Sequence, residues 1–190
     1  HDFNNSLQVI FGNTELALLE DISPELRDYL KTIKQSATDA ATRIQHLLRF
    51  SGKGKGPRDY DPLNLNSVVA DVITQTRPLW KDESERTGAV IIIETDYSDG
   101  DLTTEANAAE LRSVLYNIIK NSVHSMPGGG TLSFKTGKTG EGIYITVSDT
   151  GTGMDEETKT RIFQPFFTTK GFGQGMGLGM STAYTIVKEH

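Results

Sequence analysis

The chain has no cysteine, which excludes disulfides, thiolate nucleophiles and thiolate metal sites. Long apolar runs are missing as well. The longest unbroken one, Ala89 to Ile93, falls far short of the roughly 20 residues a membrane helix needs, so the sequence holds no spanning segment and no secretory signal, and it reads as cytoplasmic. Positive charge is in deficit: 19 Lys and Arg stand against 25 Asp and Glu, a net charge of -6, which excludes the basic surface of a nonspecific nucleic-acid binder. A nucleotide held locally by backbone amides and a metal remains compatible with that balance. What is present, 36% hydrophobic, 23% charged and 8% aromatic residues, describes an ordinary folded protein of 190 residues, one domain or a helical module plus a domain of about 130 residues. The sequence opens on His1 inside a helical pattern, where a bare ammonium would meet the positive end of the helix dipole. It closes on a helical pattern without a glycine stop, so a piece of a longer chain is expected.

From His1 to Glu20, Phe3, Leu7, Ile10, Thr14 and Ala17 alternate spacings of four and three, the mark of a helix with one apolar seam. Asp21-Ile22-Ser23-Pro24 follows as a turn in which Ser23 can cap and Pro24 can open the next helix. Leu26, Leu30, Ile33, Ala37, Ala40, Ile44, Leu47 and Ser51 then hold a heptad spacing that no proline interrupts. Two such helices cannot bury both seams alone, so the expectation for residues 1–51 is an antiparallel hairpin that pairs with a second copy in a four-helix bundle. Residues 52–59, with Gly52-Lys-Gly-Lys-Gly-Pro57, read as a linker. Residues 60–190 change to mixed elements: a helix over 67–86, strands at 90–94 and near Leu102, a helix over 108–126, strands at 131–136 and 143–148, and helical segments at 156–163 and 179–189. The fold class is α+β, an α/β sandwich with a mixed, mostly antiparallel sheet covered by helices.

Within 108–126, Asn117 and Asn121 are one turn apart, so their amides share a face and can converge on a ligand or a hard cation. Taken alone, such a pair is more often a solvent-facing surface than a site. Asp149-Thr-Gly-Thr-Gly153 leaves the end of a strand, where a carboxylate can accept the exocyclic amine of an adenine or serve as a turn residue. Gly171, Gly173, Gly175, Gly177 and Gly179 occupy alternate positions up to a helix start, fitting a polyphosphate cradle or a flexible loop, and match neither the P-loop nor the dinucleotide fingerprint. Phe163, Phe166 and Phe167 precede Lys170, and Phe163 reads as a core aromatic.

In this order the four segments closely resemble the ATP-binding domain of sensor histidine kinases, of the superfamily that also holds gyrase, Hsp90 and MutL ATPases. Asn117 to Asn121 resembles the N box, Asp149 to Gly153 the first glycine box, Phe163 to Phe167 the F box, and Gly175 to Gly179 the second glycine box. His1-Asp-Phe-Asn-Asn5 resembles the phosphoacceptor box of the family's dimerisation helix. The resemblance implies that Asn121 ligates magnesium, that Asp149 binds adenine with Gly151 and Gly153 shaping its pocket, that Lys170 meets phosphate from a lid over about 154–173, and that Gly175, Gly177 and Gly179 wrap the triphosphate. It also implies ATP and Mg2+ as ligands, a homodimer through the hairpin, a response-regulator receiver domain as partner, and further strands after residue 190. His124 departs from the polar or basic residues frequent at its position.

His1 itself has an imidazole that is nucleophilic at neutral pH, Asp2 can hold one ring nitrogen protonated, and Asn5 lies one turn on, where an amide can orient a water. The resemblance gives that His and Asn spacing a phosphatase role toward a phosphoaspartate. The expected activity is ATP-dependent autophosphorylation of His1 and transfer to an aspartate. Two alternatives stand: a hydrolytic ATPase, which would resemble its superfamily in placing a Glu base where this chain has Asn117, and a noncatalytic dimeric scaffold that holds nucleotide as a structural ligand.

Overall fold

A computed structural model of the chain describes residues 2–50, 60–82, 88–170 and 177–190, with the backbone alone for residues 2–5, 39, 41–50 and 82. Two compact units result, residues 1–57 and 58–190. The expected linker, 52–59, lies outside the described residues.

In the first unit, α1 (Asp2–Leu19) and α2 (Pro24–Phe50) pack on each other. The turn chemistry works as its residues dictate: Pro24 opens α2, and Ser23 Oγ accepts the Leu26 N–H at 3.2 Å. Arg27 reaches back and donates to Leu18 O at 3.1 Å and Glu20 O at 3.4 Å, serving carbonyls that the end of α1 leaves without helical partners. Lys34 meets Glu15 at 2.7 Å, and its ammonium holds that carboxyl below the usual carboxylate range. The predicted seam on α1 is corrected at one position. Leu7, Thr14 and Ala17 turn inward with Phe11 and Leu18, whereas Ile10 stays exposed, because 3.6 residues per turn carries the inward row from 7 to 11 rather than to 10. On α2 Leu30 and Ala37 turn inward, while Leu26 and Ile33 remain 46% and 47% exposed.

The second unit begins with β1 (Asp61–Asn64), α3 (Leu65–Gln75) and a π-helical turn (Pro78–Asp82). It continues through β2 (Ile91–Asp96), β3 (Thr103–Ala106), α4 (Ala108–Ser125), β4 (Gly130–Thr139), β5 (Gly142–Asp149), α5 (Glu156–Arg161) and α6 (Gly179–Glu189). Strand order β2-β4-β5 makes a three-stranded sheet. β2 runs parallel to β4, as a connection through α4 requires, and β5 runs antiparallel to β4. β1 and β3 form a separate antiparallel pair that launches α3 and α4, whose first turns are capped by Asn64 and Asn107. The fold class is the α+β arrangement the sequence indicates.

The helix expected over 67–86 ends at Gln75. Pro78 has no N–H for the helical ladder and its ring crowds the carbonyl four residues back, so the chain leaves α3 at Thr76. Thr76 is buried, its hydroxyl donating to Val72 O at 2.7 Å, and the Trp80 indole N–H reaches Ile73 O at 3.3 Å. β1 was not anticipated, since four residues including Pro62 and Asn64 give no alternation to read.

Val68, Val69 and Val72 of α3 and Leu115 and Ile119 of α4 close over Ile91, Leu132 and Phe134 of the sheet. A polar ring stands at the edge of this core. The Thr136 hydroxyl donates to Asn66 Oδ1 at 2.7 Å, Asn66 Nδ2 donates to Ser98 O, and the Ser98 N–H donates back to Thr136 Oγ1, so each buried group is served. α6 packs on the far side of α4 through Val114, Ala183 and Ile186.

Phe134 is 1% exposed at the centre of this core. Phe134→Ala is expected to destabilise the second unit by about 3 to 5 kcal/mol, read as a lowered urea midpoint by circular dichroism. A loss under about 1 kcal/mol would contradict its central place.

Candidate functional site

The burial of Leu115 and Ile119 fixes the rotation of α4 and leaves Asn117, Asn121 and Ser125, spaced by four, along another side of the helix. Asn117 is half-buried with its Nδ2 unpartnered among the described residues, and a Cβ placed on Gly179 at the start of α6 would stand 3.3 Å from its Oδ1. Asn121 Oδ1 accepts a hydrogen bond from Lys170 Nζ at 3.3 Å. Burial, and then the neighbouring Lys120 ammonium, push the Lys170 amine below the usual lysine range. An oxygen that already takes a cation, a buried amide donor without a partner and a lysine whose charge is poorly supported together suit a polyphosphate with its magnesium.

Asp149 ends β5 beside the last residue of α4. Its Oδ1 accepts the Gly151 N–H at 3.0 Å and lies 3.1 Å from the Ser125 hydroxyl, while its Oδ2 has no partner among the described residues. Ser125 O accepts the Thr152 N–H at 3.0 Å, so the same residue holds both sides of the turn. A Cβ on Gly151 would overlap Ser125 Oγ and lie 2.7 Å from both the Cβ and the carbonyl oxygen of that serine, so this turn closes only around glycine. Gly153 follows with φ +70 and open space where a Cβ would stand.

Beyond α5, capped by Asp155 on the Thr158 N–H at 2.7 Å, comes the aromatic segment. The backbone hydrogen bond from Thr158 holds the Asp155 carboxyl below its usual range. Arg161 lies over the Phe167 ring at 4.4 Å, and Phe166 has φ +65, a left-handed conformation that costs a side-chain-bearing residue energy. Gly177, at φ +64, lies against that strained residue, and a Cβ there would overlap the Phe167 carbonyl. Phe163 is corrected from a core residue: it falls in the turn after α5, is 46% exposed and packs its ring on Tyr184 of α6 at 5.1 Å. α6 then opens at Gly179 without a side-chain cap, its first amides free of one.

Of the expected residues in the second unit, the structure brings together Asn117 with Gly179, Asn121 with Lys170 and Asp149 with Gly151, while Gly177 meets the backbone of Phe166 and Phe167 and Gly153 has open space where a Cβ would stand. His1, the side chains of Asp2 and Asn5, and Gly175 lie outside the described residues, although α1 carries the backbone of positions 2 and 5. His124 is exposed, its Nδ1 2.6 Å from Lys120 O of its own helix. Ser125 was missed, and one signal could have found it: it continues the i, i+4 row of Asn117 and Asn121.

Residues 106–190 match the family described as histidine kinase-, DNA gyrase B-, and HSP90-like ATPase. The chain is 30% identical over 207 residues to the sensor kinase CckA of Brucella abortus (strain 2308), covering 100% of the chain and 21% of CckA. It is 38% identical over 193 residues to sporulation kinase C of Bacillus subtilis (strain 168), again over 100% of the chain and 42% of that kinase. The chain therefore spans less than half of either relative. Full-length ShkA, solved with AMPPNP, superposes with a TM-score of 0.81 at 22% identity over 99% of this chain and 39% of ShkA. Histidine kinase ThkA in complex with the response regulator TrrA gives 0.58 at 22% over 91% of this chain and 50% of ThkA. At those identities the two structures speak for the fold.

The steric closure at Gly151 makes a prediction of its own. Gly151→Ala is expected to cost about 2 kcal/mol or more in thermal unfolding, and adding Ser125→Ala is not expected to restore it, since the serine Cβ and carbonyl still stand 2.7 Å from the new methyl. Full recovery in the double variant would mean the hydroxyl alone sets the closure.

Proposed function

Because this chain belongs to the histidine kinases, as the catalytic core of one, we propose that it binds ATP with magnesium in the second unit, phosphorylates His1 of the first, and passes the phosphoryl group to an aspartate of a response-regulator receiver domain. The observation that carries the reading is the convergence on one unit of four separate segments: Asn117 against Gly179, Asn121 with Lys170, Asp149 with Gly151, and Gly177 against the 166–167 backbone.

In this reading Asp149 Oδ2 accepts the adenine amine, a charge-assisted bond that guanine, with a carbonyl at that position, cannot donate. Lys170 exchanges its neutral partner Asn121 for phosphate oxygens, a stronger interaction for an ammonium, and Gly175, Gly177 and Gly179 lead the chain around the triphosphate into the uncapped start of α6. Asn121 Oδ1, released from Lys170, would hold the magnesium, whose contribution is to neutralise charge on the phosphate oxygens. A neutral His1 imidazole, oriented by Asp2, attacks the γ-phosphorus. An N–P bond forms, the bond to the β-γ bridging oxygen breaks, ADP leaves with that electron pair, and the ring loses the proton of its other nitrogen to solvent. In the second step the aspartate oxygen takes the phosphoryl group and the N–P bond breaks.

An amide at Asn117 cannot accept a proton from water, which weighs against the hydrolytic alternative. Exposed Ile10, Leu26 and Ile33 on the hairpin support pairing with a second copy. The partner class is that of TrrA, the response regulator held by ThkA.

Incubation with γ-labelled ATP is expected to leave acid-labile, base-stable label on the chain. His1→Gln should abolish it while nucleotide affinity stays within about 2-fold, because nucleophile and pocket lie in different units. Label retained in that variant would sink the assignment, and nucleotide bound with neither label nor turnover would point to the scaffold. Asn5→Ala is expected to slow dephosphorylation of a phosphorylated partner by roughly 10- to 100-fold while autophosphorylation stays within a few-fold, since only hydrolysis needs an oriented water. Equal loss of both would assign Asn5 to the helix or the docking surface.

A further inference from the structure

Ser125 is tied to the turn after β5 by every polar group it can spare. Its hydroxyl lies 2.7 Å from Ser122 O and 3.1 Å from Asp149 Oδ1, and its carbonyl takes the Thr152 N–H at 3.0 Å. Met126, next in the chain, donates its N–H to Val123 O, and Thr150 on the turn accepts the Thr131 N–H at 2.9 Å and lies 3.9 Å from the Met126 sulfur. The end of α4 and the Asp149 turn therefore form one braced corner.

Asp149 is solvent-exposed, and a carboxylate rotates about its last bond in a broad, roughly two-fold well. A single donor on Oδ1, the Gly151 N–H, leaves the plane of the group free to swing about that contact. A second donor from another direction fixes it. The carboxylate, being charged, competes well for the one Ser125 proton against the neutral Ser122 carbonyl despite the longer distance.

We propose that Ser125 is a positioning residue for nucleobase selection: its hydroxyl, acting with the Gly151 amide on Oδ1, sets the plane of Asp149 so that Oδ2 is presented to the exocyclic amine of a 6-aminopurine. The proposal rests on the assignment of Asp149 to adenine. A fixed carboxylate rewards the amine of adenine and opposes the carbonyl of guanine, whose lone pairs it faces. A carboxylate free to swing does both less well, so the hydroxyl acts on the contrast between bases.

The test is calorimetric titration of the chain with ATP and with GTP in magnesium, for wild type, Ser125→Ala, Ser125→Cys and Asp149→Asn, with melting temperatures alongside. Ser125→Ala is expected to weaken ATP by about 3- to 10-fold, leave GTP within 2-fold, and so narrow the ATP-to-GTP ratio by that factor. Ser125→Cys, near in shape but a weak donor, should narrow it similarly. ATP and GTP weakening together in both variants would mean a structural brace only and overturns the proposal, as does a wild-type ratio in Ser125→Cys. Collapse of the ratio in Asp149→Asn with none in the Ser125 variants sinks the role of Ser125 alone. An intact ratio in Asp149→Asn sinks the adenine assignment and this inference with it.

Discussion

Helix α4 has to satisfy three neighbours at once, and the rest of the second unit is arranged around that demand. Leu115 and Ile119 are buried against Leu132 and Phe134 of the sheet, and Val114 is buried against Ala183 and Ile186 of α6. Once those two apolar contacts are made the helix has no rotational freedom left, and its remaining side is the row of Asn117, Asn121 and Ser125. At 3.6 residues per turn a spacing of four drifts slowly around the axis, which spreads the three polar groups across the site. Asn117 faces the start of α6, Asn121 the Lys170 amine, and Ser125 the Asp149 turn. Precision of the site is thus inherited from core packing.

The electrostatics of that side run against the chain as a whole. The net charge is -6, yet Lys120 and Lys170 stand close enough for one ammonium to disfavour the other, and the Lys170 ammonium donates to a neutral amide, that of Asn121. Four other cations of this unit have carboxylates: Arg112 has Asp71, Lys135 has Asp96, Lys159 has Glu156 and Arg161 has Glu157. Those exposed pairs contribute little to stability. Burial first, and the Lys120 ammonium second, disfavour the charge on Lys170, which an anion beside it would support.

Much of this was legible in the sequence because the signals were local. Ser23 and Pro24, the strand pair that became β4 and β5, and the last helix follow from capping chemistry and periodicity, and the structure sets them where those rules do. The failures were of another kind. The helix expected over 67–86 ends at Gln75, because Pro78 brings neither an N–H for the ladder nor room for the carbonyl four residues back. β1 exists because β3 pairs with it, a contact between residues some 40 apart that no window contains. Phe163 reads inward by its hydrophobicity, but the turn after α5 sets it on the surface against Tyr184. Ser125 has an undistinguished residue type, and its part depends on where β5 delivers Asp149.

The glycines sharpen the last point. In the sequence their spacing suggests amides bared for a ligand, and a helix start favours phosphate in that position. In the fold, Gly151 is required because Ser125 fills the space its side chain would take, and Gly177 because the backbone of Phe166 and Phe167 fills its own. Phe166 is held at φ +65, a conformation that costs about 1 to 3 kcal/mol outside glycine, and close approach of Gly177 is what the surrounding packing supplies against that cost. Chain meeting chain at these two positions brings the turn to α4 and the aromatic segment to the foot of α6. The same bare backbone can serve a ligand only after it has first allowed the protein to close upon itself.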